Sequence, residues 1–263
     1  MQQTEWNVRR ACRALWVCIG TLLLCQCSAA GPAVHPDVIA HGAFGHLRIY
    51  RPQGPIRHLA VLLSGDGGWG TPAEAIASGL AARGSLVAGV DAREWLAALN
   101  QADSPCIDAG AALADLGLYL KARYLVPGQQ PVLIGHSAGA SLVYVALAQS
   151  RPAEFAGALT LSFCADLDLA RPLCPAAALR DAPRAGGLRL QPAGVQPGPW
   201  IALHGLEDRE CPAPEARAFA QGVPGSRFIA LPGVGHSYRD AGRWWTAFMA
   251  SYGTLAATAV ALP

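Results

Sequence analysis

Short apolar runs alternate along the chain with longer stretches in which apolar positions recur every three or four residues. The short runs are His46–Tyr50, Leu59–Ser64, Leu86–Asp91, Pro131–Gly135, Ala158–Phe163, Trp200–His204 and Arg227–Leu231. Bounded by Gly, Pro and Asp, they predict strands. The longer stretches, Pro72–Ala82, Ile107–Tyr124, Ala138–Gln149, Pro214–Gln221 and Arg239–Tyr252, predict helices. In the second of these, Leu113, Leu116, Leu120 and Tyr124 fall on one face. Strand and helix in alternation imply a mainly parallel central sheet with helices on both faces, because parallel strands need crossover connections. No internal repeat interrupts the pattern. The stretch Leu169–Pro199 is rich in Pro, Gly and Arg with weak periodicity, which predicts a long surface loop or a short cap-like insertion.

The first thirty residues follow a different rule. Arg9, Arg10 and Arg13 precede the apolar run Leu15–Leu24, and Ser28-Ala29-Ala30 offers small residues for cleavage. A basic region, an apolar region too short to span a bilayer comfortably and a small-residue site predict a signal peptide over 1–30. That leaves one domain over 31–263 with no transmembrane span, exported to the periplasm. Cys25 and Cys27 raise lipoprotein anchoring, but Leu24 and Gln26 are poor lipobox residues. Of the 20 basic and 18 acidic residues, three basic and one acidic fall within 1–30, which leaves 17 of each. A neutral chain gives no reason to expect nucleic acid as a partner. Four of the eight cysteines remain, Cys106, Cys164, Cys174 and Cys211. An even number in an exported chain implies two disulfides with three possible pairings. Proximity in sequence favours Cys164–Cys174, leaving Cys106–Cys211. No C-x-x-C occurs among these four, so a zinc site is the weaker expectation, and no metal or organic cofactor is implied.

The chemistry gathers at the ends of the predicted strands. Gly135-His136-Ser137-Ala138-Gly139 lies between a strand and a helix, the context in which a sharp turn lifts a serine hydroxyl above a sheet. Such a hydroxyl needs a base, and the base needs an acid to fix its tautomer. Asp208 follows the strand Trp200–His204, and His236 sits in a glycine-flanked loop after Arg227–Leu231, so the order Ser–Asp–His is complete. Glu207, Asp166 and Asp168 are alternative acids. His136 and His204 are less well placed as the base, and His35, His41, His46 and His58 fall too early. An oxyanion hole requires two N–H donors. Ala138 supplies one, and the loop Ser64-Gly65-Asp66-Gly67-Gly68-Trp69 supplies the other, assigned to Asp66 with Gly65 or Gly67 one residue away. Gly65, Gly67, Trp69 and Glu207 are candidate substrate contacts. No Lys-Ser/Thr follows these glycines, so the loop is not a nucleotide P-loop.

The segments Ser64–Trp69 (SGDGGW), Gly135–Ala140 (GHSAGA), Phe163–Cys174 (FCADLDLARPLC) and Val234–His236 (VGH) resemble the VirJ and AcvB bacterial virulence proteins. The resemblance covers most of residues 45–250. It implies an exported α/β-hydrolase with Ser137 as nucleophile, Asp208 as acid and His236 as base. The family pattern often has Tyr before the serine, where this chain has His136. The resemblance also implies hydrolysis of aminoacylated phosphatidylglycerol, chiefly lysyl-phosphatidylglycerol, at the membrane surface. A cationic aminoacyl group then wants a carboxylate, from Glu207, Glu210, Asp166 or Asp168. A lipid phosphate wants an arginine, from Arg171, Arg180, Arg184 or Arg189. The competing readings are an exported esterase or lipase of other specificity, and a non-catalytic secretion-accessory module that keeps the fold.

Overall fold

A computed structural model describes residues 35–126 and 128–258, all within one compact unit, Pro32–Pro263. The expected signal peptide and most of the apolar tail from Leu255 lie outside the described residues. The main sheet has eight strands: β1 (Asp37–Ala40), β2 (His46–Tyr50), β3 (His58–Leu63), β4 (Ser85–Val90), β5 (Val132–His136), β6 (Gly157–Leu161), β10 (Trp200–Gly205) and β11 (Arg227–Leu231). Their spatial order is β1-β2-β4-β3-β5-β6-β10-β11. The hairpin β1–β2 is antiparallel and joins β4 antiparallel, and every later pair is parallel. The helices are α1 (Ala73–Ala81), α2 (Ala92–Gln101), α3 (Ala109–Tyr124), α4 (Ala138–Gln149), α5 (Ala213–Gln221) and α6 (Trp245–Thr258).

The strand runs read as continuous apolar segments because both faces of the sheet are covered. Alternate residues serve alternate layers. Leu59, Val61 and Leu63 pack with α2, α3, α4 and α5, whereas Ala60 and Leu62 pack with α1 and α6. Tyr144, Phe163, Trp200 and Phe219 make an aromatic cluster between α4, the sheet and α5, with ring centroids 4.7–6.0 Å apart.

Three elements lie beyond the sequence reading: strand β1, helix α2, and a second sheet, two of whose three strands lie in the predicted loop. Asp91 caps α2 by accepting from the N–H groups of Arg93 and Glu94. That signal, an Asp three residues before a Glu, was present in the chain. The second sheet contains β7 (Asp166–Leu167), β8 (Arg180–Arg184) and β9 (Gly187–Gln191), all antiparallel, in the order β7-β9-β8. Its hairpin turns at Ala185-Gly186, where Gly186 has φ +79°. Pro183 lies in β8, an edge strand, the place in a sheet that tolerates a missing N–H donor.

The disulfides correct the expected pairing. They are Cys106–Cys174 and Cys164–Cys211, not Cys164–Cys174 and Cys106–Cys211. The cause lies in the topology. β6 and β10 are parallel neighbours, so the chain leaves them side by side and brings Cys164 and Cys211 to a Cα separation of 5.2 Å. A bridge between Ile107 and Leu173 does the same for Cys106 and Cys174, at 4.9 Å.

Candidate active site

Ser137 occupies the turn between β5 and α4 with φ +55° and ψ −124°, a conformation that costs free energy for any L-residue with a side chain. The turn is this tight because its flanks have no side chains. A Cβ on Gly135 would collide with the Gly139 carbonyl, and one on Gly139 with the Ser64 carbonyl. The Ser137 N–H donates to the Leu161 carbonyl at 3.0 Å, which ties the turn to β6.

Two parallel strands deliver the partners. Asp208 lies in the turn after β10 and His236 in the loop after β11. The Glu207 N–H donates to the Val234 carbonyl at 3.0 Å, joining the two loops. The Ser137 hydroxyl lies 3.0 Å from His236 Nε2, and His236 Nδ1 lies 3.0 Å from both Asp208 oxygens. The carboxylate beside Nδ1 fixes the imidazole proton there, which leaves the Nε2 lone pair facing the serine. Sequence order thus becomes a hydrogen-bonded chain. The alternative acids are elsewhere: Asp166 pairs with Arg184 and Arg189, Asp168 pairs with Arg184, and Glu207 is exposed.

Asp208 is buried and heavily bonded. It also accepts from the Glu210 and Cys211 N–H groups at 3.0 and 2.9 Å, and from the Ser162 hydroxyl at 2.5 Å. Burial alone would raise its pKa, but the bonds from His236, Ser162 and Cys211 favour the anion and hold it at about 2. Burial pushes His236 down, yet the bond and charge of Asp208, with the charges of Glu210 and Asp66, outweigh burial and hold it above its ordinary value.

Two positioning groups were not anticipated. Ser162 follows β6, is fully buried and has φ +51°, with its hydroxyl turned to the acid. His136 is held neutral chiefly by burial, and its Nε2 lies 2.8 Å from the His236 carbonyl, so the imidazole N–H anchors the loop of the base. Neither carries a local sequence signal, because each acts across strands that only the sheet brings together.

The Ser64–Trp69 loop is anchored at both ends. The Ser64 hydroxyl accepts from the Ala92 N–H at 3.0 Å, and Asp91 accepts from the Trp69 N–H at 2.9 Å. The Trp69 ring packs on Gly89 and its indole N–H donates to Tyr50 at 3.3 Å. Trp69 therefore holds the loop down, partly buried against the core layer that contains α1. Gly65, Asp66 and Gly67 form the free arc, and Gly65 approaches Ser137 and His136 closely: a Cβ there would lie 3.3 Å from the Ser137 Cβ. Among the described residues, neither the Asp66 nor the Ala138 N–H has a protein acceptor.

Asp208, Cys211 and His236 lie close enough to suggest a metal site, but the Cys211 sulfur is committed to its disulfide and the other two bond each other. A cavity of about 440 Å³, whose lining includes Phe163, Leu190, Ala216 and Phe219, meets the turn that holds Asp208 at Glu210 and Cys211. Three of the four arginines expected to meet a lipid phosphate are engaged: Arg171 with the Ser104 carbonyl, Arg184 with Asp166 and Asp168, and Arg189 with Asp166 and Glu215. Among the described residues no helix is long and apolar enough to cross a membrane.

The fold has many solved counterparts. A puromycin-hydrolysing peptidase of Mycobacterium tuberculosis superposes with a TM-score of 0.59 at 17% identity, covering 86% of this chain and 39% of the peptidase. This chain therefore spans about two fifths of that protein's length. Est1E from Butyrivibrio proteoclasticus gives 0.55 at 16% identity, covering 85% and 99% of the two chains. The thermophilic esterase Est2 of Thermogutta terrifontis gives 0.56 at 17%, covering 88% and 95%. No curated protein matches the sequence. The family model described as bacterial virulence protein (VirJ) matches residues 57–162, which carry the Ser64–Trp69 loop, the nucleophile turn and Ser162. Over that segment the chain matches the VirJ family, and the fold that carries it is that of the α/β-hydrolases.

Proposed function

We propose that this chain is a serine esterase that removes the aminoacyl group from aminoacylated phosphatidylglycerol, of the lysyl-phosphatidylglycerol type, at the periplasmic face of the membrane. The observation that carries the chemistry is the Ser137–His236–Asp208 hydrogen-bonded chain at the carboxyl edge of the sheet. The substrate class rests on the VirJ match and the motif resemblance.

In this reading Ser137 Oγ attacks the ester carbonyl while His236 Nε2 takes its proton. The Ala138 and Asp66 N–H groups hold the oxyanion. The intermediate collapses as His236 returns the proton to the departing glycerol oxygen, leaving aminoacyl-Ser137. A water, deprotonated by the same imidazole, then releases the amino acid. The mature protein is expected to liberate free lysine from vesicles containing lysyl-phosphatidylglycerol. Cleavage of a short-chain ester with no lysine release would keep the esterase and discard this lipid. Failure on both substrates by folded protein would leave the non-catalytic module.

Two further outcomes follow from the electrostatics. The base must be neutral to accept a proton, and His236 is held above the ordinary histidine value of about 6.5. Activity is therefore expected to fall on the acid side with a midpoint above pH 6.5. A kcat/KM profile from pH 5 to 9 checks this, and a midpoint below 6.5 contradicts it. Ser162→Ala removes one donor from the Asp208 carboxylate. Hydrogen bonds to charged groups contribute about 1.5–3 kcal/mol, so a loss in kcat of roughly tenfold or more is expected with KM little changed. Equal activity in the variant would show that the acid is held well enough without it.

A further inference from the structure

Glu210 takes no part in the steps above. Its Oε2 lies 3.5 Å from His236 Nε2, the nitrogen that faces Ser137, and its side chain is 74% exposed. The Oγ–Nε2 distance is 3.0 Å, so the two distances together, 6.5 Å, are the most that can separate Glu210 Oε2 from the nucleophile. The acyl carbon must come within about 3–3.5 Å of the nucleophile to react. A nitrogen on the adjacent α-carbon is two bonds from the acyl carbon, within reach of Glu210, whereas groups farther along the acyl chain extend past it.

The cavity behind Glu210 has a different charge state. Its other carboxylates, Asp166 and Glu215, both bind Arg189, at 3.1 and 3.0 Å. The cavity thus pairs an apolar lining of Phe163, Leu190, Ala216 and Phe219 with two carboxylates already matched to a cation. Glu210 is the cavity carboxylate whose cationic partner is the imidazole itself, and the imidazole is neutral when it acts as a base.

From this, and resting on the esterase reading above, we infer that Glu210 is a specificity residue that binds the α-ammonium of an aminoacyl ester, while the cavity accepts the amino-acid side chain with little regard to its charge. The site then selects α-aminoacyl esters as a class, with alanine and lysine treated alike. While no substrate is bound, the same carboxylate rests against His236. An arriving α-ammonium takes its place as the counter-ion, and no bond is made or broken in that exchange.

The test compares methyl esters of alanine, lysine and N-acetylalanine at pH 7, where the free α-amine is still largely protonated, with wild type and Glu210→Gln. Acetylation removes the α-charge and keeps the ester. Wild type is expected to favour alanine over N-acetylalanine by at least tenfold in kcat/KM, and Glu210→Gln to reduce that ratio at least fivefold. The lysine-to-alanine ratio should stay within about threefold in both proteins. An unchanged ratio in Glu210→Gln, or one that collapses only in Asp66→Asn, overturns the assignment. So does an equal loss on all three esters, which would make Glu210 a support for His236. Wild-type preference for N-acetylalanine would overturn the inference and the aminoacyl substrate together while keeping the esterase. Cleavage of lysyl-phosphatidylglycerol by a Glu210→Gln protein with its ratio unchanged would overturn the inference alone.

Discussion

On the proposed substrate, lysyl-phosphatidylglycerol, Ser137→Ala is expected to lower hydrolysis by at least about 10⁴-fold without unfolding the protein. The side chain makes one bond, to His236 Nε2, and the turn is held by its backbone N–H on Leu161 and by the two flanking glycines. Alanine adds no atom to a site whose backbone conformation is set by those contacts. The proposed oxyanion donors, the Ala138 and Asp66 N–H groups, remain, so a residue of activity above the uncatalysed rate should survive. Because nucleophile and base act as a unit, Ser137→Ala and Ser137→Ala/His236→Ala should be equally impaired. The measurement is kcat on the lipid, beside thermal melting of each variant. Activity within tenfold of wild type in a folded Ser137→Ala protein would remove Ser137 from the mechanism, and a further drop in the double variant would show that His236 works independently.

How much of this was legible in the chain depends on the range of each interaction. The strands of the parallel core could be read to within one or two residues, because burial on both faces writes an unbroken apolar run. Helix α4 matched to the residue, Ala138–Gln149, because the Gly135–Gly139 turn fixes its start. The order of Ser137, Asp208 and His236 was legible, since each lies just past a strand end. What connects them was not. Ser162 and His136 act on residues 46 and 100 positions away, and no local pattern records such a contact. The hairpin β8–β9 was missed because Arg180-Asp-Ala-Pro-Arg has poor strand propensity and is held by pairing with Gly187–Gln191. The anchoring of Trp69 was not legible either, because Gly89 in β4 has no side chain and the Trp69 ring fills that place from twenty residues away. The disulfide pairing failed for the same reason. Proximity in sequence favoured Cys164 with Cys174, and strand adjacency decided for Cys211.

That pairing yields the second large effect. By loop closure alone the two disulfides should contribute similarly, about 4 kcal/mol each, since they span 47 and 68 residues and the dependence on length is logarithmic. Their relation to the catalytic chain is unequal. The Cys211 N–H donates to Asp208 at 2.9 Å, and its carbonyl accepts from His204 at 2.7 Å. The Cys164 carbonyl accepts from Ser141 in α4, one turn past the nucleophile. The Cys164–Cys211 bridge therefore fastens the acid's turn to the helix that follows Ser137. Cys106–Cys174 instead joins the segment before α3 to the stretch after β7, where Gln149 bonds the Ile107 and Cys174 carbonyls. Replacing both members of each pair by serine should lower thermal stability comparably. Only Cys164→Ser/Cys211→Ser should also lower kcat, by at least tenfold, and move the acid limb of kcat/KM to lower pH. The sign follows from the base: a loosened Asp208 supports the imidazolium less, so the His236 pKa falls toward its ordinary value. Stability loss by itself does not move a pH limb when activity is measured well below the melting temperature. If both double variants lose stability and neither shifts the limb, the bridge supports the fold and the acid's turn holds its geometry through its own hydrogen bonds.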